Sequence, residues 1–167
     1  MTDATASGDT RPTVYVETSV ISYLVARPST DLLTRAHQKT TQEWWAERAR
    51  FQLYVSSFVA DEAKQGEPAY ATQRLGVIAT LLVLDVPEDV DRVARALLLR
   101  GSLPRKAETD ALHVAVAAVN GVDYLVTWNL RHIANPAMRR RIEEVCRSCG
   151  FEPPILCTPE ELLETIR

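Results

Sequence analysis

The sequence lacks the features that attach a chain to a membrane or carry it out of the cell. No apolar run approaches the roughly 20 residues of a membrane-spanning helix. The first twelve residues are polar and small, without the apolar core of a signal peptide. We therefore expect no membrane contact, a disordered lead-in over 1–12 and a single domain over 13–167.

Cysteine is also scarce, with three in 167 residues. Without a signal peptide, these thiols are expected to stay reduced in the cytoplasm. Cys146 and Cys149 form a C-x-x-C pair, and Cys157 follows eight residues later. A zinc site needs a fourth ligand and only distant histidines remain, so ordinary half-buried thiols are the favoured interpretation.

The sequence also has no excess of positive charge. It contains 19 Lys and Arg and 22 Asp and Glu, which gives a net charge of −3. This balance argues against a protein that coats nucleic acid non-specifically. It leaves room for a local basic rim around an acidic site. We find no internal repeat and no linker, which agrees with one domain.

What the sequence does contain is a regular alternation of β-rich runs and helical patterns. The predicted strands cover 13–16, 51–55, 81–85, 123–126 and 155–157. Helical spacing of apolar residues fills the intervals between them, and the helix that precedes strand two is expected to start after Ser29, Thr30 or Asp31 and to run through about Arg50. This order predicts an α/β protein, a three-layer α/β/α sandwich with a central, mainly parallel five-stranded sheet.

The stretch TVYVETSVISYL, residues 13–24, places an acid at the end of the first strand. Thr13 to Val16 read as a buried strand, and helical spacing begins after Glu17. In open α/β sheets, sites form just beyond the carboxyl ends of the strands. Glu17 is therefore a candidate site residue.

Three further polar residues follow strands or open helices. Glu62 lies in the helix after strand two, Asp110 opens an apolar helix, and Asn129 follows strand four. If strands one and four are neighbours, all four residues reach one crevice. Clustered carboxylates need a cation, and Mg²⁺ or Mn²⁺ suits oxygen ligands, so the pattern indicates metal-assisted phosphodiester hydrolysis.

Each residue also has an ordinary interpretation. Asp110 suits a helix start because of the helix dipole. Acids such as Glu62 usually face water, Asn129 suits a turn, and Thr18 or Ser19 can cap a helix. The spacing alone leaves these alternatives open.

Four segments together resemble PIN domains, and most closely the VapC-type toxins of bacterial toxin–antitoxin pairs. They are V-E-T-S-V-I-S-Y-L (16–24), V-A-D-E-A (59–63), E-T-D-A-L-H-V-A (108–115) and D-Y-L-V-T-W-N-L-R-H-I (123–133). The resemblance implies a metal-dependent endoribonuclease with a PIN-like parallel α/β/α sandwich, often a homodimer, neutralised by a cognate antitoxin. Glu17, Glu62 and Asp110 match the metal ligands, and Asn129 completes the catalytic ring.

Two positions depart from the family pattern. The first acid is usually aspartate and here is Glu17, which still allows metal ligation through a side chain longer by one methylene. The fourth position is often aspartate and here is Asn129, which removes one negative charge. A spare acid, Asp123, is expected at the far, amino end of its strand, away from the site.

Residues around this ring are candidates for substrate contact. Thr18 and Ser19 follow the first acid, where a hydroxyl can orient a carboxylate or a metal-bound water. A set of side chains on the loops is placed to hold an RNA backbone: Arg105, Lys106, Arg131 and His132. His113 shares a helix face with Asp110 and either packs in the core, donates to a carboxylate or contacts RNA.

The leading hypothesis is therefore a Mg²⁺- or Mn²⁺-dependent ribonuclease toxin. The alternative is a catalytically weak RNA-binding or protein-interaction module on the same fold. A phosphatase fits poorly, because E-T-S-V lacks the glycine of a phosphate-cradling loop.

Overall fold

The computed structural model describes residues 9–166, and its centre is a five-stranded sheet of order β3-β2-β1-β4-β5. Every neighbouring pair of strands runs parallel. The strands are β1 (Thr13–Val16), β2 (Gln52–Val55), β3 (Leu82–Val83), β4 (Tyr124–Val126) and β5 (Ile155–Cys157). The predicted α/β class is confirmed, and β1 and β4 are neighbours, which is the condition under which the four polar residues can share one crevice.

Eight helices connect and cover these strands within the described residues. They are α1 (Thr18–Val25), α2 (Leu32–Ala46), α3 (Ser57–Ala63), α4 (Pro68–Ile78), α5 (Glu88–Leu99), α6 (Glu108–Val119), α7 (Pro136–Ser148) and α8 (Pro159–Glu164). Several start where the sequence signals them. Asn135 caps α7, Thr158 and Glu161 form a capping box on α8, and proline opens α4, α7 and α8.

Two predicted elements are shorter in the structure by more than one residue. The helix predicted to run to about Arg50 ends at Ala46, and a short 3-10 turn follows over Arg48–Arg50. No apolar side chain contacts the core between Trp45 and Phe51, so nothing holds that stretch in α geometry. Strand β3 pairs only with the end of β2 and lies at the sheet edge, so it is limited to two residues.

Strand β1 lies at the centre of the sheet and is buried on both faces. Val14, Tyr15 and Val16 are completely buried. From β1 the chain adds β2 and β3 on one side, then returns to add β4 and β5 on the other. The crevice at the carboxyl ends of β1 and β4 is therefore the switch point of the sheet.

Helix α6 is the most deeply buried helix, as its sequence ALHVAVAAV predicts. Its residues from His113 to Ala118 are all buried. Its small side chains allow close packing against α5. Because α6 carries Asp110 and His113, this packing holds both of them in place.

Asp123 connects the amino ends of β4 and β1, at the edge of the sheet opposite to the crevice. Its Oδ2 accepts hydrogen bonds from the backbone N–H and the hydroxyl of Thr13, both at 2.8 Å. The prediction that Asp123 lies away from the site is confirmed.

The described part of the predicted lead-in contacts the domain. The carbonyl of Pro12 accepts from the Gln52 N–H at 2.9 Å, and the Arg11 guanidinium donates to the Ala49 carbonyl at 3.1 Å. Residues 1–8 of that lead-in lie outside the described residues. Among the helices of the described chain, none has the length and apolar character needed to cross a membrane.

Candidate metal centre

Glu17 follows β1 directly and precedes the first turn of α1, where it is only 5% exposed. Its backbone N–H donates to the Val126 carbonyl at 3.1 Å, which extends the pairing of β1 with β4. Its Oε2 accepts from the Thr127 hydroxyl at 2.6 Å and from the Ser19 hydroxyl. These two donors satisfy one oxygen of a buried carboxylate and leave Oε1 without a hydrogen bond from residues 9–166.

Glu62 reaches the same crevice from α3. Its Oε1 accepts from the Thr18 hydroxyl at 2.7 Å and from Nε2 of His113 at 2.5 Å. Burial by itself raises the pKa of this carboxyl, but the hydrogen bond and charge of His113, together with the Thr18 hydroxyl, outweigh it. The pKa of Glu62 therefore lies below its ordinary value, and the group is a carboxylate at neutral pH.

His113 links Glu62 to a buried hydrogen-bonded chain. Its Nδ1 lies 2.7 Å from the Tyr15 hydroxyl, which lies 2.7 Å from the Ser56 hydroxyl. A carboxylate only accepts, so Nε2 of His113 is the donor to Glu62. Burial raises the pKa of Tyr15, which keeps its phenol protonated. His113 is thus both packed in the core and a donor to a carboxylate, and it is too buried to contact RNA.

One ligand atom each from Glu17, Glu62 and His113 lies within 4.8 Å of the others. Two carboxylates so close repel each other unless a cation neutralises them. Each retains an oxygen that accepts no hydrogen bond from the described residues 9–166, whereas Nε2 of His113 is engaged with Glu62. The donor set therefore fits a hard divalent ion such as Mg²⁺ or Mn²⁺, with the two glutamates as ligands and His113 orienting one of them.

Asp110 lies in the first turn of α6 and belongs to a second network. Its Oδ1 accepts from the Asn129 amide at 2.9 Å, and its Oδ2 lies 2.6 Å from Nδ1 of His132. The Asn129 side-chain oxygen in turn accepts from the backbone N–H of His132 at 3.0 Å. Asp110 is therefore held by the loop after β4, and it is not a member of the three-residue cluster of Glu17, Glu62 and His113.

Two hydroxyls connect these networks across β1 and β4. The Thr127 hydroxyl donates to Glu17 and accepts from the Asn129 N–H at 2.9 Å. The Ser19 hydroxyl donates to Glu17 and accepts from the Trp128 N–H at 2.9 Å. The carboxylate of Glu17 is thereby tied to the same loop that holds Asp110.

Thr18 and Ser19, predicted as substrate contacts, are engaged with carboxylates in this structure. They match the idea that a hydroxyl after the first acid orients a carboxylate. Sequence reasoning did not single out Thr127, although the segment T-W-N directly follows the predicted fourth strand. His113 was left between three roles, because sequence spacing does not show which carboxylate it meets.

The four side chains predicted to hold the RNA backbone fall into two groups in the structure. Arg105, Lys106 and Arg131 are exposed, and their side chains form no hydrogen bond or ion pair with residues 9–166. They remain free to meet an anionic ligand. His132 is engaged with Asp110, and its side chain is only 15% exposed.

A cleft of about 630 Å³ opens beside Glu17 and Glu62, between α1, α3 and the start of α2. Its wall includes Ser22 and Tyr23 of α1, and Arg27 lies beyond them. None of the three predicted loop cations is among the side chains that line this cleft. Sequence reasoning did not single out Tyr23 or Arg27, since neither lies in an acidic motif.

No protein-family model matches the sequence, and no curated protein matches it significantly. The structure is similar to one solved as VapBC2 from Rickettsia felis bound to a DNA fragment from their promoter. The match has a TM-score of 0.52 and 17% sequence identity, and it covers 87% of this chain and 98% of that chain. At this identity the likeness shows a shared fold, which confirms the predicted fold class and agrees with the resemblance to VapC-type PIN domains.

Proposed function

We propose that this chain is a VapC-type PIN-domain endoribonuclease that hydrolyses RNA phosphodiester bonds with Mg²⁺ or Mn²⁺. The observation that carries the proposal is the meeting of Glu17 and Glu62 at the switch point of the sheet. The two glutamates are 45 positions apart in the sequence and converge there, and each has one oxygen that accepts no hydrogen bond from residues 9–166. The setting we propose is a cytoplasmic toxin restrained by a cognate antitoxin.

Glu17 and Glu62 are the residues that would hold the ion. A bound divalent ion supplies an activated water and a counter-charge for the phosphate. Ser19 and Thr127 hold the Glu17 carboxylate, and Thr18 and His113 hold that of Glu62. The ligands are thus oriented by the protein before any ion binds, which limits the reorganisation that binding requires.

We propose that Asp110 is the third acid of the site and that Asn129 completes the polar ring. Asn129 and His132 set the orientation of Asp110 through one hydrogen bond to each of its oxygens. The exposed cations Arg105, Lys106 and Arg131 are the proposed contacts to the RNA backbone.

The same network favours a second candidate function. Both Asp110 oxygens already have protein partners, and the fourth position is the neutral Asn129. If Asp110 stays with these partners, two glutamates alone hold the ion and turnover is weak. The chain would then be an RNA-binding or protein-interaction module on a nuclease fold.

Cleavage of RNA by the purified chain, with Mn²⁺ or Mg²⁺ and with EDTA, tests the nuclease. We expect cleavage only with the divalent ion, and we expect Glu17→Gln and Asp110→Ala to abolish it. Asp61→Asn is the matched control, because Asp61 is an exposed acid beside Glu62 that pairs with Lys64. Cleavage that survives both EDTA and Asp110→Ala contradicts the metal mechanism.

Calorimetric titration with Mn²⁺ separates the nuclease from the module. Saturable binding that Glu17→Gln removes supports the nuclease. Intact RNA binding without saturable binding of Mn²⁺ supports the module.

The proposed protein partners are a cognate antitoxin and a second copy of this chain. Large apolar side chains are exposed at the start of α2, where Leu32 is 84% and Leu33 66% exposed. Such side chains support a protein partner. Light scattering of the purified chain reports the homodimer, and co-purification with the product of a neighbouring reading frame reports the antitoxin.

A further inference from the structure

Arg27 lines the same cleft as Glu17 and Glu62 and lies in the connection between α1 and α2. The two carboxylates lie at the start of α1, where Glu17 precedes Thr18 and Glu62 accepts the Thr18 hydroxyl, whereas Arg27 follows the end of that helix. Its guanidinium carbon lies 5.9 Å from the centre of the Tyr70 ring. Within residues 9–166 this guanidinium forms no ion pair and no hydrogen bond. An exposed cation that lines a cleft and has no acidic partner there remains available to an anionic ligand.

The backbone that carries Arg27 is fixed from within the protein. Gln38 of α2 is 5% exposed, and its side chain donates to the Arg27 carbonyl and accepts from the Ser29 N–H, both at 2.9 Å. Pro28, between these two contacts, has a restricted φ. Gln38 therefore holds the backbone on both sides of Pro28. The position of the Arg27 backbone is fixed before any ligand binds.

The other wall of the cleft is also fixed. Tyr23 packs edge-on against Trp128 and His37, with ring centres 6.2 and 6.1 Å away, and those two rings stack at 4.1 Å. Trp128 is anchored by its indole N–H, which donates to the Thr41 hydroxyl at 2.7 Å. The cleft is thus lined by fixed side chains, with carboxylates at the start of α1 and the Arg27 guanidinium after the end of that helix.

From this arrangement we infer that Arg27 binds a backbone phosphate of single-stranded RNA next to the phosphate that is cut. The inference rests on the proposed function for the identity of the ligand. The bond to be hydrolysed must lie at Glu17 and Glu62, so an RNA strand that runs along α1 within the cleft brings a neighbouring phosphate toward Arg27. Arginine is suited to this role because its planar fork of donors matches phosphate oxygens.

The affinity for a short, fluorescently labelled single-stranded RNA, measured in EDTA over a series of KCl concentrations, tests the inference. We expect Arg27→Gln to weaken binding about tenfold, as loss of a charge-assisted hydrogen bond does. We also expect the slope of log affinity against log salt to fall by about 0.7, the value for one phosphate contact on a single strand. Arg27→Lys keeps the charge and should keep the slope while recovering part of the affinity.

Arg35→Gln is the matched control, because Arg35 is an exposed arginine of α2 that does not line the cleft. A set of RNAs that each carry one neutral methylphosphonate linkage locates the contact. The wild-type chain should lose affinity at one linkage beside the cut, and Arg27→Gln should no longer respond to that linkage.

Equal affinity and equal salt slope for Arg27→Gln and Arg35→Gln overturn the inference. Because binding is measured in EDTA, the contact is tested even in a chain that does not cleave. Arg27-dependent binding without Mn²⁺-dependent cleavage supports the contact and contradicts the nuclease. Cleavage that is indifferent to Arg27 supports the nuclease and contradicts the contact, and a wild-type chain that binds no RNA overturns both.

Discussion

Nε2 of His113 lies 2.5 Å from Oε1 of Glu62, and the histidine side chain is completely buried. The histidine belongs to the buried helix α6, and the glutamate belongs to the short helix α3, which follows β2. The imidazole is itself held at Nδ1 by the Tyr15 hydroxyl at 2.7 Å. One proposed metal ligand is thereby oriented by a residue whose position the core determines.

Replacing His113 should weaken metal binding. We expect His113→Leu to lower the Mn²⁺ affinity by about 10- to 100-fold, as loss of an outer-shell partner does. His113→Gln retains a donor toward Glu62 and should recover part of that loss. Calorimetry gives the affinities, and thermal unfolding shows whether each variant is folded. Asp61→Asn, at an exposed acid that pairs with Lys64, is the control. A folded His113→Leu chain with wild-type affinity would show that the contact does not orient Glu62.

Removing the Thr127 hydroxyl should affect both networks. In Thr127→Val the shape is conserved, but Glu17 and the Asn129 N–H each lose a hydrogen-bond partner. We expect about a tenfold loss or more in Mn²⁺ affinity and a parallel loss in RNA cleavage. Thr72→Val is the control, because within residues 9–166 the Thr72 hydroxyl bonds only the Pro68 carbonyl on the surface of α4. Wild-type affinity in a folded Thr127→Val chain contradicts the role given to this hydroxyl.

The three thiols should differ in reactivity. Burial raises the pKa of Cys146 and of Cys157 to about 12, whereas Cys149 is only half-buried. At about pH 8 the two buried thiols hold almost no thiolate, the reactive form. A colourless disulfide reagent such as Ellman's reagent should therefore titrate at most one thiol in the native chain and all three in denaturant. Fast reaction of three thiols in the native chain contradicts this burial.

The raised pKa values of Cys146 and Cys157 predict that the free energy of unfolding falls at high pH. Their pKa is higher in the folded chain than the ordinary value of 9.0, so the unfolded chain loses protons first as the pH rises. Their contribution to stability is complete below about pH 9 and is lost progressively between pH 9 and 12. Urea unfolding across this range should show a smaller decline for Cys146→Ala than for the wild-type chain. An equal decline in both chains contradicts the linkage.

The cap of α8 should contribute to global stability. The Thr158 hydroxyl accepts from the Glu161 N–H at 3.2 Å, and the Glu161 carboxylate accepts from the Thr158 N–H at 2.8 Å. Thr158→Ala should cost about 1 kcal/mol in urea unfolding, the usual effect of losing an N-cap. Thr165→Ala, at the other end of the helix, is the control and should change stability by less. Equal losses of stability in the two variants would show that the loss in Thr158→Ala does not come from the cap.

Much of the fold could be predicted because its signals are local. Alternating apolar residues, caps and prolines mark where each strand or helix begins, and they depend on residues a few positions apart. The two elements that came out shorter, the end of α2 and strand β3, are limited by what they pack against. The contacts of Ala46 and of Val83 depend on distant parts of the chain, so local signals overestimated both elements.

The sequence by itself determined that Glu17 ends a buried strand, since the apolar run before it and the helical pattern after it are adjacent in the chain. Only the tertiary structure decided how the acids are paired. Glu62 meets a histidine 51 residues away, and Asp110 meets one 22 residues away. Such partners are chosen by the packing of helices on the sheet and by side-chain geometry, which no local pattern encodes. The acid that ends β1 thus belongs to a centre with Glu62 and His113, while Asp110 is held by the loop after β4.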